Sequence, residues 1–205
     1  MTEIIYEALQ LAGILAFAVS GALVGVRRNL DLLGVLVVGG CTGIGGGVLR
    51  DLLLGVHPPV SFVHWPNLAT ALAGSLIVFF VHPSLARIRR FEVVFDAFGL
   101  GLFSANGAAA AFAAGYTPLI AILVGTTTAI GGGVIRDVLV NTVPGVLTRE
   151  LYAVSAMLGA CIAVLVLVLG GGLGLASVVG GAAAITLRLL SVARGWHLPR
   201  PRTVR

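Results

Sequence analysis

Two short stretches of the sequence carry opposite charges beside a run of glycines. GIGGGVLRD occupies residues 43–51, and AIGGGVIRD occupies residues 129–137. In each copy the guanidinium can bind an anion, and the carboxylate that follows it can bind a cation. Where such groups lie inside apolar helices, they mark pathways for ions or polar solutes. The first candidates for function are therefore Arg50, Asp51, Arg136 and Asp137.

The glycines in these stretches predict a weak point in each helix. Three consecutive residues without side chains remove packing contacts and lower helical stability. A break would free carbonyl oxygens on one side, which suits a cation, and N–H groups on the other, which suits an anion. We therefore predict helices broken at Gly45–Gly47 and at Gly131–Gly133. The alternative is that the glycines only allow close packing between helices.

Further polar groups lie in the same apolar segments. Threonine hydroxyls just before each glycine triplet would add oxygen ligands for a cation. Ser20 and Asn106 could either line a pore or form hydrogen bonds between helices. The candidate pathway residues are Ser20, Thr42, Gly45, Gly46, Gly47, Arg50, Asp51, Asn106, Thr126, Thr127, Thr128, Gly131, Gly132, Gly133, Arg136 and Asp137.

The four charges of the motifs need partners or water. Each one costs about 2.5–3.5 kcal/mol near the centre of a membrane helix. Neighbours in a helical sequence point about 100° apart, so an arginine does not face the aspartate that follows it. We therefore expect pairs between the two copies, Arg50 with Asp137 and Arg136 with Asp51.

The composition places the chain in a membrane. The sequence is 58% hydrophobic and only 10% charged, whereas soluble domains carry about 25% charged residues. All 13 basic residues are arginine, and most lie in loops and the tail, which favours a topological role over nucleic-acid binding. We find no catalytic triad, metal cluster or cofactor fingerprint, so we expect no enzymatic activity, no cofactor and no structural metal.

The apolar segments predict an all-α membrane protein with seven transmembrane helices. Because arginines follow the first, third, fifth and seventh spans, the N-terminus is expected outside and the C-terminus in the cytoplasm. We expect Asp96 to cap the fourth span, Tyr152 to lie at the membrane interface, and Arg188 to extend to the cytoplasmic surface. The predicted spans are about 8–26, 32–54, 66–82, 97–115, 118–140, 151–169 and 173–192.

The two motifs belong to a longer internal repeat. A shift of 86 residues aligns Gly13–Pro58 with Gly99–Pro144 without gaps, with 17 identities in 46 positions. Each copy contains three spans, an odd number, so the second copy must enter the membrane from the opposite side. The predicted units are a three-helix repeat at 8–82, an inverted repeat at 96–169, a seventh helix at 173–192 and a basic tail at 193–205.

The duplicated glycine–arginine–aspartate motif, the seven spans and the inverted repeat resemble the prokaryotic trimeric intracellular cation (TRIC) channels. The resemblance covers about Gly13–Leu190, and this bacterial group is also described as a membrane domain associated with glycine transport. It implies a homotrimer whose protomers each hold a pore for monovalent cations, chiefly potassium. It also implies kinked second and fifth helices beside that pore, and a location in the plasma membrane.

Two functions remain open from the residues themselves. A passive cation channel needs a continuous wet path past both motifs. A secondary transporter of a small amino acid such as glycine also uses inverted repeats and broken helices. The resemblance favours the channel, with homotrimer copies, membrane lipid and monovalent cations as partners and no nucleic acid.

Overall fold

The structure is a computed structural model that describes residues 2–82, 85–148 and 151–199. Within these residues there are seven long helices and two helices of a single turn, which follow the second and the fifth long helix. The described part of the predicted tail is residues 193–199; residues 200–205 and Arg149 lie outside the described residues. The helices are α1 (Thr2–Arg27), α2 (Leu32–Leu53), α3 (Val60–Val63), α4 (Trp65–Val81), α5 (Leu85–Ala113), α6 (Pro118–Leu139), α7 (Gly145–Thr148), α8 (Tyr152–Val168) and α9 (Leu173–Arg194).

Five of the long helices are long and apolar enough to cross a membrane: α1, α2, α5, α6 and α9. The other two, α4 and α8, are apolar helices of 17 residues each. All seven lie where the sequence predicts spans, but α1 begins at Thr2 and α5 at Leu85, earlier than predicted. Arginine and glutamate are good helix formers, so a charged start extends the helix without extending the apolar segment.

Local signals fix the ends of the two motif helices. The carboxylate of Asp31 accepts a hydrogen bond from Gly34 N at 2.7 Å at the start of α2. Thr117 and the proline that follows it start α6 in the same way. Two residues after each helix the backbone turns left-handed, at Gly55 (φ 71°) and at Asn141 (φ 53°). Both residue types tolerate that conformation, so each chain can turn at once into a short helix, α3 or α7.

The predicted helix breaks are not present. Both α2 and α6 are continuous through their glycine triplets, so the carbonyl groups there remain inside regular helices. The glycines instead allow the two helices to cross closely. A Cβ on Gly132 would lie 2.5 Å from Thr42 O, and one on Gly46 would lie still closer to Thr128 O. The structure therefore agrees with the alternative interpretation, in which the glycines allow close packing between helices.

The core of the protein is built from contacts that come in pairs. The rings of Phe17 on α1 and Phe103 on α5 meet edge to face, with centroids 5.2 Å apart. Gly13 faces the ring of Phe103, and Gly99 faces the ring of Phe17. The shift of 86 residues exchanges the members of each pair, so equivalent residues in the two copies make equivalent contacts. Around this centre α5 packs against α1, α6, α8 and α9, which places the motif helices beside the core.

Candidate functional site

The second motif arginine lies at the centre of a buried polar cluster. Arg136 Nη1 donates to Asp96 Oδ1 at 2.6 Å and to Ser20 Oγ at 2.8 Å. Its Nε donates to Asp137 Oδ1 at 2.9 Å. Arg136 is 1% exposed, and no residue of this group is more than 3% exposed. Because the group is buried, two carboxylates and a hydroxyl take the place of water around the guanidinium.

Two more side chains extend this cluster towards α8 and α9. The hydroxyl of Tyr152 donates to Asp96 Oδ1 at 3.3 Å. The guanidinium carbon of Arg188 lies 5.0 Å from the centre of the Tyr152 ring, a cation–π distance. Both residues are buried, Tyr152 at 3% and Arg188 at 1% exposure. We refer to Ser20, Asp96, Arg136, Asp137 and Tyr152 together as the second half-site.

The first motif arginine has fewer partners. Arg50 Nε and Nη2 approach Asp51 Oδ1 at 2.9 and 2.8 Å. Its Nη1 reaches Gln10 Oε1 at 3.5 Å, the limit of a hydrogen bond. We refer to Gln10, Arg50, Asp51 and Asn106 as the first half-site. It has one carboxylate beside the arginine, where the second half-site has two.

The predicted pairing between copies is wrong. Each arginine bonds to the aspartate that follows it, and the pairs Arg50–Asp137 and Arg136–Asp51 do not form. The long arginine side chain can fold back, and the aspartate is fixed from its other side. Asp51 Oδ2 accepts a hydrogen bond from Val60 N at 2.8 Å at the start of α3. Asp137 Oδ2 accepts one from Gly145 N at 2.7 Å at the start of α7. The aspartates thus tie the short helices to the ends of α2 and α6.

A small cavity lies against the first half-site. It has about 10 Å³ of space for water, which is room for about one molecule. Its lining includes five polar residues, Gln10, Arg50, Ser61, Asn106 and Thr128, and apolar residues such as Ile14. Asn106 Oδ1 is buried and has no hydrogen-bond partner among the described residues. The first half-site therefore combines a cation, an acceptor oxygen and room for a polar guest.

The structure divides the predicted pathway residues between two tasks. Ser20 binds the second arginine, whereas Asn106 lines the cavity and donates from Nδ2 to Tyr6 O at 3.4 Å. The hydroxyls of Thr42, Thr126 and Thr128 each donate to a carbonyl one turn earlier in their own helix. Thr127 is half-buried, and the six motif glycines are buried at or near the crossing of α2 and α6.

Sequence reasoning missed part of the second half-site. Asp96 does not cap a helix: it lies inside α5, 1% exposed, and binds Arg136. Tyr152 is buried and bonds to Asp96, and Arg188 is buried and does not extend to the surface. The same shift of 86 residues held a usable signal, because it aligns Gln10 with Asp96 and so matches two polar residues within apolar helices.

A second missed ion pair lies near the end of α1. Arg27 Nη1 and Glu92 Oε2 are 2.5 Å apart, and Glu92 is 1% exposed. Glu92 lies one helical turn before Asp96 on α5, so two acidic side chains share that face of the helix. The predicted start of the fourth span at residue 97 excluded both, because the apolar segment was taken as the whole helix.

Comparison with known proteins finds relatives along most of the chain. The profile of the family described as "Glycine transporter" matches residues 7–83 and 93–168. A membrane protein of Deinococcus radiodurans is 47% identical over 154 residues, 74% of this chain and 72% of the relative. The inner membrane protein YadS of Escherichia coli is 36% identical over 196 residues, 94% of this chain and 93% of the relative.

Solved structures give the decisive comparison. One structure, solved to explain conductance through TRIC cation channels, matches with a TM-score of 0.87 at 38% identity. The match covers 97% of this chain and 98% of that chain. A prokaryotic TRIC channel solved in 0.5 M KCl has a TM-score of 0.89 at 34% identity, covering 96% of this chain and 100% of that chain. The chain belongs to the prokaryotic TRIC channel family. The resemblance expected from the motifs is thereby confirmed.

The glycine-transporter profile and the two membrane-protein relatives match this same family. This TRIC-family chain is a multi-pass membrane protein, in agreement with its five apolar helices of spanning length. A more distant TRIC structure from C. elegans with bound Ca²⁺ has a TM-score of 0.59 at 17% identity, a likeness of fold alone.

Proposed function

We propose that the chain forms a passive channel for monovalent cations, chiefly potassium. The observation that carries this proposal is the fold match along 93–97% of the chain to three TRIC structures at 34–38% identity. One is described as a trimeric intracellular cation channel orthologue from Rhodobacter sphaeroides, another as a structure that explains conductance.

The proposed path runs within one protomer, past both half-sites. The polar side chains around Arg50 and Arg136 line this path. The glycines do not line it; they only allow α2 and α6 to pack closely together. The small cavity beside Arg50 and Asn106 supports an entry on the side of the first half-site. Since the backbone is continuous at both triplets, side-chain oxygens supply the cation ligands in this proposal, with Asp51 and Asp137 as the carboxylates.

The assembly is proposed to be a homotrimer in the plasma membrane with seven spans, including the 17-residue helices α4 and α8. Two inverted three-helix units, 8–82 and 96–169, are followed by the helix at 173–192 and a cytoplasmic tail at 193–205. The repeat of the motif and the paired contacts across the core support the two inverted units. The similar Rhodobacter sphaeroides protein, which is described as a trimeric channel, supports the homotrimer. The N-terminus lies outside in this arrangement.

A second candidate is transport of glycine, which the description of the matching family profile favours. In that case the guanidinium of Arg50 would bind the carboxylate of the amino acid, and an acceptor such as Asn106 Oδ1 its ammonium group. The fold matches to cation channels favour the first candidate over this one.

Planar-bilayer recording of the purified protein in asymmetric potassium chloride separates the two. We expect unitary current steps whose reversal potential shows cation selectivity. The variant Asp51→Asn should lower that selectivity, since a carboxylate beside the path is lost. Asp31→Asn is the matched control, because Asp31 is an exposed cap of the same helix. A silent bilayer together with saturable glycine uptake into liposomes would overturn the channel.

A further inference from the structure

One acceptor atom of the first half-site is buried and unpaired. Asn106 is 2% exposed, and its Nδ2 donates to Tyr6 O at 3.4 Å. That bond sets the orientation of the amide, because Nδ2 can donate and Oδ1 can only accept. Asn106 Oδ1 has no hydrogen-bond partner among the described residues. Since an unpaired buried acceptor costs free energy, a donor beside it would stabilise the protein.

A donor with unused capacity lines the same cavity. Arg50 Nε and Nη2 bond to Asp51, whereas Nη1 has only the contact of 3.5 Å with Gln10. A guanidinium Nη carries two N–H groups, so Arg50 Nη1 can still donate. Arg50 and Asn106 both line the cavity of about 10 Å³, which has room for about one water molecule.

The second copy of the repeat shows how such an arginine is completed by protein atoms. The shift of 86 residues aligns Arg50 with Arg136 and Asn106 with Ser20. Arg136 Nη1 donates to Ser20 Oγ at 2.8 Å, and Ser20 Oγ donates in turn to Glu92 O at 3.3 Å. A hydroxyl therefore accepts from this arginine and donates to the next acceptor. In the first copy the equivalent residue is an amide whose Oδ1 Arg50 does not reach.

A tyrosine explains why the first copy has space at this point. A Cβ on Gly133 would lie 2.6 Å from the hydroxyl of Tyr152. A Cβ on the equivalent Gly47, which lines the cavity, would have Ser61 Oγ as its contact at 3.2 Å. The same shift places Pro66, which has no hydroxyl, opposite Tyr152. The volume that the tyrosine hydroxyl fills in the second half-site is therefore open in the first.

The chemistry of the lining selects a neutral occupant. A monovalent cation would lie beside the positive guanidinium of Arg50, and the carboxylate of Asp51 is already bonded to that arginine. An anion has no hydrogen to donate to Asn106 Oδ1. A water molecule can accept from Arg50 and donate to Asn106, so it satisfies both groups at once.

We propose that one water molecule binds in this cavity, accepts a hydrogen bond from Arg50 Nη1 and donates one to Asn106 Oδ1. It takes the place that the Ser20 hydroxyl has in the second half-site. Arg136 is then held by protein atoms alone, and Arg50 partly by a molecule that can exchange. A cation on the proposed path would have to displace this water against the charge of Arg50. The inference itself depends on the cavity and its lining, and it holds with or without that path.

X-ray radiolysis of the wild-type protein in detergent tests the proposal without any substitution. Radiolysis converts water to hydroxyl radicals, which oxidise the side chains that touch the water, and mass spectrometry locates the oxidised residues. Ile14 and Phe103 line the cavity and are 2% and 4% exposed. Their repeat equivalents Leu100 and Phe17 are 0% exposed and are the internal controls. We expect oxidation of Ile14 and Phe103, and only background oxidation of the controls.

The variant Asn106→Leu removes the acceptor and keeps a side chain of similar size. We expect the oxidation of Ile14 and Phe103 to fall to the background, because water needs polar partners to remain in a buried cavity. Ser104→Ala is the matched control, since Ser104 is buried on the same helix and its hydroxyl bonds to Ala156 O at 2.8 Å. The control should keep the wild-type pattern.

Anomalous scattering distinguishes water from an ion in the same cavity. Crystals of the wild-type protein soaked in thallium(I) nitrate mark sites that potassium can occupy, and crystals soaked in sodium bromide mark sites for anions. We expect density for a water molecule between Arg50 and Asn106, with no anomalous peak there in either soak.

The proposal fails on any of three results. Equal oxidation of Phe103 and Phe17 in the wild-type protein would mean that the cavity holds no bound water. Unchanged oxidation in Asn106→Leu would mean that the acceptor does not bind it. An anomalous peak beside Arg50 would show that an ion is the occupant. None of these experiments measures current, so the proposed channel stands or fails separately.

Discussion

The two half-sites are built from equivalent residues and yet differ in charge. Around Arg136 the structure places two carboxylates, Asp96 and Asp137. Around Arg50 it places one carboxylate, Asp51, and the amide of Gln10 at 3.5 Å. Gln10 and Asp96 occupy equivalent positions in the repeat, so this single exchange accounts for most of the difference.

The difference shows how a duplicated sequence can yield two unlike environments. Arg136 is fixed from several directions, and α9 brings Arg188 over the tyrosine that binds Asp96. The repeat gives the first half-site no equivalent of this helix, and a small cavity with an acceptor oxygen lies there instead. The second half-site therefore has the more extensive set of contacts, and the first is the one with room for a guest.

The largest expected effect comes from removing each arginine in turn. Arg136→Met leaves two buried carboxylates without their main partner, and breaking such an ion pair costs about 3–5 kcal/mol. We expect a clearly lower thermal midpoint, or loss of monodisperse protein, in detergent. Arg50→Met serves as the comparison, with a smaller decrease, since it leaves one carboxylate that keeps its bond to Val60 N. Equal decreases would remove the distinction between the half-sites.

The glycine triplets allow the two halves of the repeat to be compared position by position. The two middle glycines have similar surroundings, whereas the two last glycines do not. Gly46→Ala and Gly132→Ala each force a methyl group against a backbone oxygen, which should destabilise the protein by about 1–3 kcal/mol. Thermal unfolding of both variants measures this.

The matched controls are the next glycines along each helix. A Cβ at Gly47 meets only Ser61 Oγ at 3.2 Å, so Gly47→Ala should be neutral or slightly stabilising. At Gly133 it would lie 2.6 Å from the Tyr152 hydroxyl, so Gly133→Ala should destabilise the second half-site. Two equal results here would contradict the packing.

The contribution of α9 is tested by Arg188→Gln. Loss of a buried cation over the Tyr152 ring should destabilise the protein by about 2 kcal/mol. Arg194→Gln is the control, because that guanidinium lies 5.4 Å from the ring of Trp196 at the surface. We expect a smaller decrease of the thermal midpoint from the control. A larger decrease from Arg194→Gln would show that Arg188 does not stabilise the second half-site.

The smallest effect should come from making the first half-site resemble the second. Gln10→Glu keeps the size of the side chain and places a second carboxylate beside Arg50. A charge-assisted hydrogen bond in place of the long amide contact should stabilise the protein by about 1 kcal/mol. Gln10→Met, which removes the contact, should not stabilise it. A lower midpoint for Gln10→Glu would show that the cost of desolvating the new carboxylate outweighs the added attraction.

Several features of this protein follow from its sequence because they depend on composition and local order. The apolar segments locate the seven long helices, the 86-residue repeat predicts equivalent contacts, and the paired motifs identify the family. Asp31 and Thr117 mark the starts of two helices through hydrogen bonds to residues three positions ahead. These inferences hold because they depend on composition, local order and similarity along the chain, and none of them requires knowing which helices meet.

Tertiary structure decided the rest, because the outcome depended on which helices meet. A glycine triplet lowers helical stability when isolated, but the crossing of α2 and α6 stabilises both helices and uses the glycines as contact surface. The partners of the arginines depended on α3 and α7, whose first N–H groups orient the aspartates, and on α5, which brings Asp96 to Arg136 from 40 residues away. Sequence spacing limits which charges a helix can present, but only packing determines which of them are close enough to bond.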